Sequence, residues 1–311
     1  MRLSHCVSQL LDETVAACST YRCVVNGTCE DDWRSVLALC EAHDSCLPSL
    51  GLHPWRVGAR APGWDERLEG LLVAHPRAAI GEAGLDSSAA SSPLPDQLHA
   101  LSVHLRLAAR LRRPVSLHLP RAVADATLAA LRRDAPPSGF ERGVLLHSYG
   151  GSAAQVPAFA ALGCVFSFSA TVTVSHRSTA ALRSVPDALL LVETDAPDGL
   201  SHVAEAAMPQ LVTPRQNVET GKQSCSCADS ASEARPQRLN HPVRGHRCSQ
   251  LRWEKRRLSF MRINVAPLTS SAQANILSVI SHVANIRECT PAEIAAMTSA
   301  NGRRIFGTVA S

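Results

Sequence analysis

Short apolar runs recur along the chain, each ending in a polar residue able to bind a metal. They read AAIGE (78–82), PVSLH (114–118), GVLLH (143–147) and LLLVETD (189–195). Runs of this length and composition predict buried strands, and the intervals of about 30 to 50 residues each leave room for one or two strand-plus-helix units. Further strands are expected at 23–26, 47–51 and 164–168, with a weak candidate at 1–6. Between them lie stretches with helical spacing, such as Val7, Leu10, Leu11, Val15 and Cys18, and later Leu98, Leu101, Leu105 and Ala108. Ile276, Val279, Ile280 and Val283 share one face of another helix, and Thr290-Pro291-Ala292-Glu293 gives a capping box with proline at the first helical position. Eight alternations of strand and helix predict an α/β protein, a single (β/α)8 TIM barrel whose first strand is weak or truncated.

In such a barrel the C-terminal strand ends face one pocket, so Glu82, His118, His147 and Asp195 are expected to converge there. Two histidines and two carboxylates form a nitrogen and oxygen donor set suited to zinc, manganese or magnesium, and such a metal can activate water. A metal-dependent hydrolase is the expected class.

The chain resembles the TatD-type metal-dependent deoxyribonucleases. The resemblance is carried by VVNGTCEDDW (24–33), PSLGLHPW (48–55), AIGEAGLD (79–86), RPVSLHLPRA (113–122), LLHSYGG (145–151), VFSFSATVT (165–173) and LLVETDAPD (190–198). LNHP (239–242), ANILSV (274–279) and TPAEIAAMTSANGRRIFG (290–307) continue it. It implies a divalent-metal-dependent hydrolase of DNA phosphodiester bonds, a 3′–5′ exonuclease acting on single-stranded DNA or a 3′ end. By resemblance Glu82 bridges two metals, His118 and His147 complete one of them, and Asp195 belongs to the other and accepts a proton from the attacking water. Arg121 matches a basic residue able to hold a phosphate oxygen, Glu193 an orienter of ligands, and His53 a residue lining the pocket mouth. An amidohydrolase or lactonase acting on a small molecule would share this barrel and these ligands.

Two departures bear on the chemistry. The family carries an HxH metal pair on the first strand; here Ser4-His5-Cys6-Val7-Ser8 stands in its place, with His5 matching the first histidine and Val7 the second. One metal or two is therefore open, as is a catalytically impaired paralogue. The family's NHPANI run is also split, with residues 243–273 between its halves. That segment and 201–238 are polar and aperiodic, which predicts disordered loop within one domain spanning 1–311. A retained intron, a gene-model error or a real loop would each produce the interruption.

Charge changes the picture little. The net +4 is concentrated around Arg244, Arg247, Arg252, Lys255, Arg256, Arg257 and Arg262, leaving the rest of the chain net negative. Trp253 and Phe260 among these residues suit an arm that tracks a phosphate backbone, and a solvated insertion would have the same composition. No run of about 18 apolar residues predicts a membrane span. The N-terminus lacks the apolar stretch of a secretory signal, and eleven scattered cysteines suggest reduced thiols. A cytoplasmic or nuclear protein is expected, with no protein partner implied.

Overall fold

The computed structural model describes residues 23–88, 91–169, 175–195 and 271–307, with side chains from Ile276 onward in the last segment. The described residues fall in one compact unit drawn from 1–208 and 263–311. Among them seven strands form one parallel sheet in chain order: β1 (Cys23–Asn26), β2 (Cys46–Leu50), β3 (Ala79–Gly84), β4 (Val115–His118), β5 (Val144–His147), β6 (Cys164–Phe168) and β7 (Leu190–Val192). The intervening helices are α1 (Glu30–Ala42), α2 (Trp64–Ala74), α3 (Leu94–Leu111), α4 (Ala124–Asp134), α5 (Val156–Ala160) and α6 (His176–Ser184). The chain then continues in α7 (Ser271–Arg287) and α8 (Pro291–Phe306). Unbroken chain order with parallel pairing is what successive strand–helix–strand units produce.

The strand expectations hold within a residue or two, the usual latitude at element ends. Strand β3 runs two residues further than expected, past Glu82 to Gly84. The weak strand at 1–6, and the helix expected from Val7 to Cys18, lie outside the described residues, as do 201–238 and most of 243–273. Helix α7 takes in 271–273, which the sequence pattern assigns to the insertion.

Both faces of the sheet are buried, as apolar strand sequences require. Val144 and Leu146 of β5 join Cys164, Phe166 and Leu190 in the main core, with Leu68, Leu72, Leu101, Leu105, Leu131 and Phe159 supplied by helices. The alternate residues Leu145, Val165 and Leu191 turn the other way and pack with Ile305 of α8. That alternation is the two-residue period of a strand. Each fully buried leucine contributes roughly 2 kcal/mol of transfer free energy.

Helix ends follow the expected chemistry. Thr290 Oγ1 accepts from the Glu293 amide at 3.2 Å, and Glu293 accepts from the Thr290 amide at 2.8 Å. Asp32 plays the reciprocal part in α1, accepting from the Thr28 amide at 2.9 Å and its hydroxyl at 2.8 Å. No helix among the described residues is long and apolar enough to cross a membrane.

Gly51 marks where β2 leaves the sheet against β3. A β-carbon there would lie 2.6 Å from the Gly81 carbonyl carbon and 2.7 Å from Glu82 O. Gly51→Ala should therefore cost roughly 2–3 kcal/mol, as overpacking against rigid backbone does. Gly70→Ala, on the open side of α2 with nothing within 4 Å, should gain up to about 1 kcal/mol. Urea unfolding of both variants checks the pair; equal stabilities would mean that the β2–β3 contact yields freely.

Candidate metal centre

Strand register decides which side chains meet. His118 of β4 and His147 of β5 are direct partners across the sheet, so both leave the strand ends at one level and on one face. Strand β3 is offset by an irregularity: Ile80 pairs with Val115 but Ala83 pairs with Leu117, so one extra residue is accommodated at Gly81–Glu82. A bulge of this kind re-aims a side chain, and Glu82 emerges beside His118. Gly84 then passes so close to β4 that a β-carbon would stand 2.4 Å from His118 O, and its φ of +137° also favours glycine.

Two clusters result. In the first, His118 Nδ1 lies 3.1 Å from Glu82 Oε1 and Nε2 lies 2.9 Å from Asp86 Oδ2. His53 Nε2 is 3.7 Å from the same Glu82 oxygen, and its ring meets that of His118 edge-on at 4.6 Å between centroids. Asp86 also accepts the Trp55 indole N–H at 2.9 Å. In the second, His147 Nδ1 lies 2.7 Å from Glu193 Oε2 and Nε2 lies 3.0 Å from Asp195 Oδ1. Glu193 accepts further from the Ser148 amide and the Ser167 hydroxyl, both at 2.7 Å. Ser148 and Asp195 each adopt a left-handed backbone, with φ of 44° and 52°. Such φ is uncommon for residues other than glycine, although aspartate tolerates it better than most.

The charges are mutually supporting. Burial pushes the Glu82 carboxyl up, but the charge of His147, followed by His53 and the His118 contact, holds it well below the usual carboxylate range. Burial likewise opposes the charged form of His118, and the Asp86 and Glu82 carboxylates raise it to about 9. For His147, Glu193 and Glu82 overcome burial and raise its pKa well above the ordinary histidine value. His53 is only 3% exposed, and burial dominates there, lowering it to about 4.

Among the described residues, one set of donor atoms is close enough to share an ion: those of His53, Glu82 and His118 all lie within 4.8 Å of one another. Imidazole nitrogens around a carboxylate suit a divalent cation, so the residues present fit the metal that the sequence pattern implies. His118 would have to release a proton to bind it.

The expected site residues are thus distributed unevenly. Glu82 and His118 meet directly, His147 and Asp195 meet directly, and electrostatics links the two pairs. His53 is buried in the first cluster, where the resemblance implies a residue lining the pocket mouth. Arg121 is exposed in the short 3-10 turn Arg121–Val123 after β4, and no hydrogen bond or ion pair among the described residues engages its guanidinium. His5 lies outside the described residues. Asp86 escaped the sequence reading as a contact of His118. Its signal was present, since it closes the GEAGLD run that begins at the bulge.

Helix α3 fixes the loops that carry the first cluster. Gln97 accepts from the Asp86 amide at 2.7 Å and donates to the Asp86 carbonyl at 2.9 Å. Two turns along, fully buried His104 accepts from the Leu52 amide through Nε2 at 3.1 Å, next to His53. Its Nδ1 stands 2.7 Å from the Ala100 carbonyl and carries the proton of a neutral ring.

A parallel sheet carrying imidazole–carboxylate clusters at its C-terminal strand ends defines a metal-dependent hydrolase of the α/β class. The model of the family described as TatD related DNase matches residues 5–307. This chain belongs to that family. It is 32% identical to the metal-dependent hydrolase YjjV of Escherichia coli K12 over 56% of this chain and 67% of that protein. It is 31% identical to the 3′-5′ ssDNA/RNA exonuclease TatD of Klebsiella pneumoniae over 60% of this chain and 72% of that one. The crystal structure of the E. coli YjjV protein superposes with a TM-score of 0.65 at 23% identity, covering 95% of this chain and 90% of that one, a likeness of fold.

Burial lowers His104 to about 4, so the folded state holds it neutral while the unfolded chain protonates near 6.5. The unfolded state binds more protons between those values, and stability must therefore rise with pH across that window. Its contribution should be complete above about 6.5 and lost as pH falls towards 4, by up to about 3 kcal/mol. Urea unfolding of wild type and His104→Gln at several pH values isolates it as the difference between two curves; parallel curves would exclude a neutral, buried His104.

Proposed function

We propose that this chain hydrolyses phosphodiester bonds of DNA from a 3′ end, on single-stranded substrate, with a divalent metal ion held at the strand ends by Glu82 and His118. The observation that carries the reading is the pairing of Glu82 with His118 and of His147 with Asp195 at the ends of strands in the same sheet. Family membership and the name of the Klebsiella relative supply the substrate class. The proposal treats the chain as one (β/α)8 domain. The weak first strand expected at 1–6 and the segments 201–238 and 243–273 fall outside the described residues, apart from the start of α7.

Glu82 and His118 would hold the ion, with His53 or His147 as further ligands and His5 as the ligand from the N-terminal segment. When bound, a magnesium, manganese or zinc ion supplies Lewis-acid polarisation of the phosphodiester and lowers the pKa of water. Asp195 is the side chain placed to take the proton of the attacking water. Its carboxylate is 30% exposed, against 13% for Glu82 and 17% for Glu193, so it is the site carboxylate most open to a solvent molecule. Glu193 fixes the His147 ring from the opposite nitrogen, and Asp86 with Trp55 does the same for His118. The Arg121 guanidinium, free of protein partners among the described residues, would meet a non-bridging phosphate oxygen in a charge-assisted contact.

Asp195→Asn preserves size but removes the proton acceptor, so turnover on single-stranded DNA should fall by about 10²-fold or more while thermal stability is kept. Arg121→Ala should act mainly through KM, because its partner phosphate is present before and after the reaction. Steady-state kinetics with manganese or magnesium separates the two; an unchanged Asp195→Asn rate would remove the proposed base. Wild-type protein inert on DNA but active on small lactones or amides would shift the assignment to that class. Inertness on both would indicate the impaired paralogue.

Since Val7 occupies the second position of the HxH pair, purified protein should retain nearer one tightly held divalent ion than two. Elemental analysis after extensive dialysis gives the count. Two ions per chain would show that the N-terminal segment supplies a complete second set of ligands.

A further inference from the structure

At the end of the sheet opposite the metal centre, two thiols face each other. Cys23 opens β1 and Cys46 opens β2, and the two are direct partners in the parallel register. Their sulfurs lie 3.3 Å apart, in hydrogen-bond contact, and both carry free thiols. A disulfide needs about 2.05 Å between sulfurs, so closure asks for roughly 1.2 Å of sulfur movement, within reach of small side-chain rotations. No reaction at the metal centre uses either residue.

We propose that Cys23 and Cys46 form a reversible disulfide site, oxidised by hydrogen peroxide, that ties β1 to β2. The pair shares a proton: the Cys23 thiol donates to the Cys46 sulfur and, with further help from Ser45 and the charge of His43, lowers Cys46 to about 6, against the opposing effect of burial. Cys23 moves the opposite way and keeps its proton. A thiolate is the form that peroxide oxidises, and a thiol beside the resulting sulfenic acid condenses with it to a disulfide. The Cys46 thiolate attacks one oxygen of the peroxide and the O–O bond breaks. This leaves a sulfenic acid on Cys46 and a hydroxide ion, which takes up from solvent the proton that Cys46 released on ionising and leaves as water. The Cys23 sulfur then attacks the sulfenic sulfur as its proton passes to the departing oxygen, the S–O bond breaks, and a second water is released. Two thiols are oxidised and one peroxide is reduced to two waters.

The oxidant must be small. Cys46 is 1% exposed, so a bulky disulfide such as glutathione disulfide is excluded from it, while Cys23 is only half-buried. Among the described residues, Cys40 of α1 is a third thiol within electrostatic reach of the pair, acting on Cys23 and acted on by Cys46, and it is the natural competitor. The bond would close a loop containing α1 and restrict the unfolded chain. It would leave His53 and Glu82 untouched, because they sit at the C-terminal ends of the strands.

The test uses the full-length chain, reduced and freed of reductant, treated with stoichiometric hydrogen peroxide, alkylated and mapped by non-reducing peptide mass spectrometry. A peptide linking Cys23 to Cys46, lost on treatment with dithiothreitol, is the expected result. It should be accompanied by a melting temperature about 5 °C higher in the oxidised protein. In Cys23→Ser the partner is missing, and Cys46 should be trapped as a sulfenic acid by dimedone present while the peroxide-treated protein is denatured. Should that variant fail to fold, the wild-type map alone decides. The proposal is overturned if both thiols remain open to alkylation on denaturation after peroxide, if Cys46 is found joined to Cys40, or if oxidation runs to sulfinic acid without a crosslink.

Discussion

The strand register across β3, β4 and β5 constrains everything at the metal centre. His118 and His147 are side-by-side partners, so their rings emerge together without any adjustment of the loops. Glu82 reaches them only because β3 accommodates one residue more than β4 between Ile80 and Ala83. Since side chains alternate faces with every residue, a strict ladder would shift the following residues of β3 to the opposite face. Glycines at 81 and 84 permit the irregularity, because a side chain at either would strike the β4 backbone or its side chains. The GEAGLD run is therefore a backbone device as much as a donor of carboxylates.

Burying this many ionisable groups is unfavourable unless each charge is answered. The centre meets that requirement by alternating sign. Glu82 and Asp86 flank His118, and Glu193 and Asp195 flank His147, so each imidazole presents both nitrogens to carboxylate oxygens. Backbone and hydroxyl donors from Ser88, Ser148 and Ser167 take up remaining lone pairs. These residues would give up protons to hold a divalent cation, which would keep the balance of charge and supply Lewis acidity.

Helix α3 couples this centre to the core. Its leucines and alanines pack against the sheet, while Gln97 and His104 on the buried side grip the chain at Asp86 and Leu52. The same helix thus supplies hydrophobic stabilisation and sets the position of two loops that carry His53, Trp55 and Asp86. The opposite end of the sheet carries a different chemistry, a thiol pair at the strand starts, separated from the hydrolytic rim by the length of β2.

Much of the architecture was legible in the sequence because its signals are local. Apolar runs gave the strands, helical spacing gave α3 and α7, and the Thr290–Glu293 box gave the start of α8. The ends of four strands pointed to Glu82, His118, His147 and Asp195, and ordered motifs identified the family. What the sequence could not give was which of these groups touch. His53 beside Glu82, Asp86 against His118 and Cys23 against Cys46 each join residues from different strands or loops. Those contacts depend on inter-strand register and on a one-residue irregularity, and such pairing is a property of neighbouring chain segments rather than of either segment alone. Sequence by itself determined the elements and the chemistry available; only the tertiary structure decided the partners, because distance and burial arise when the strands are brought together.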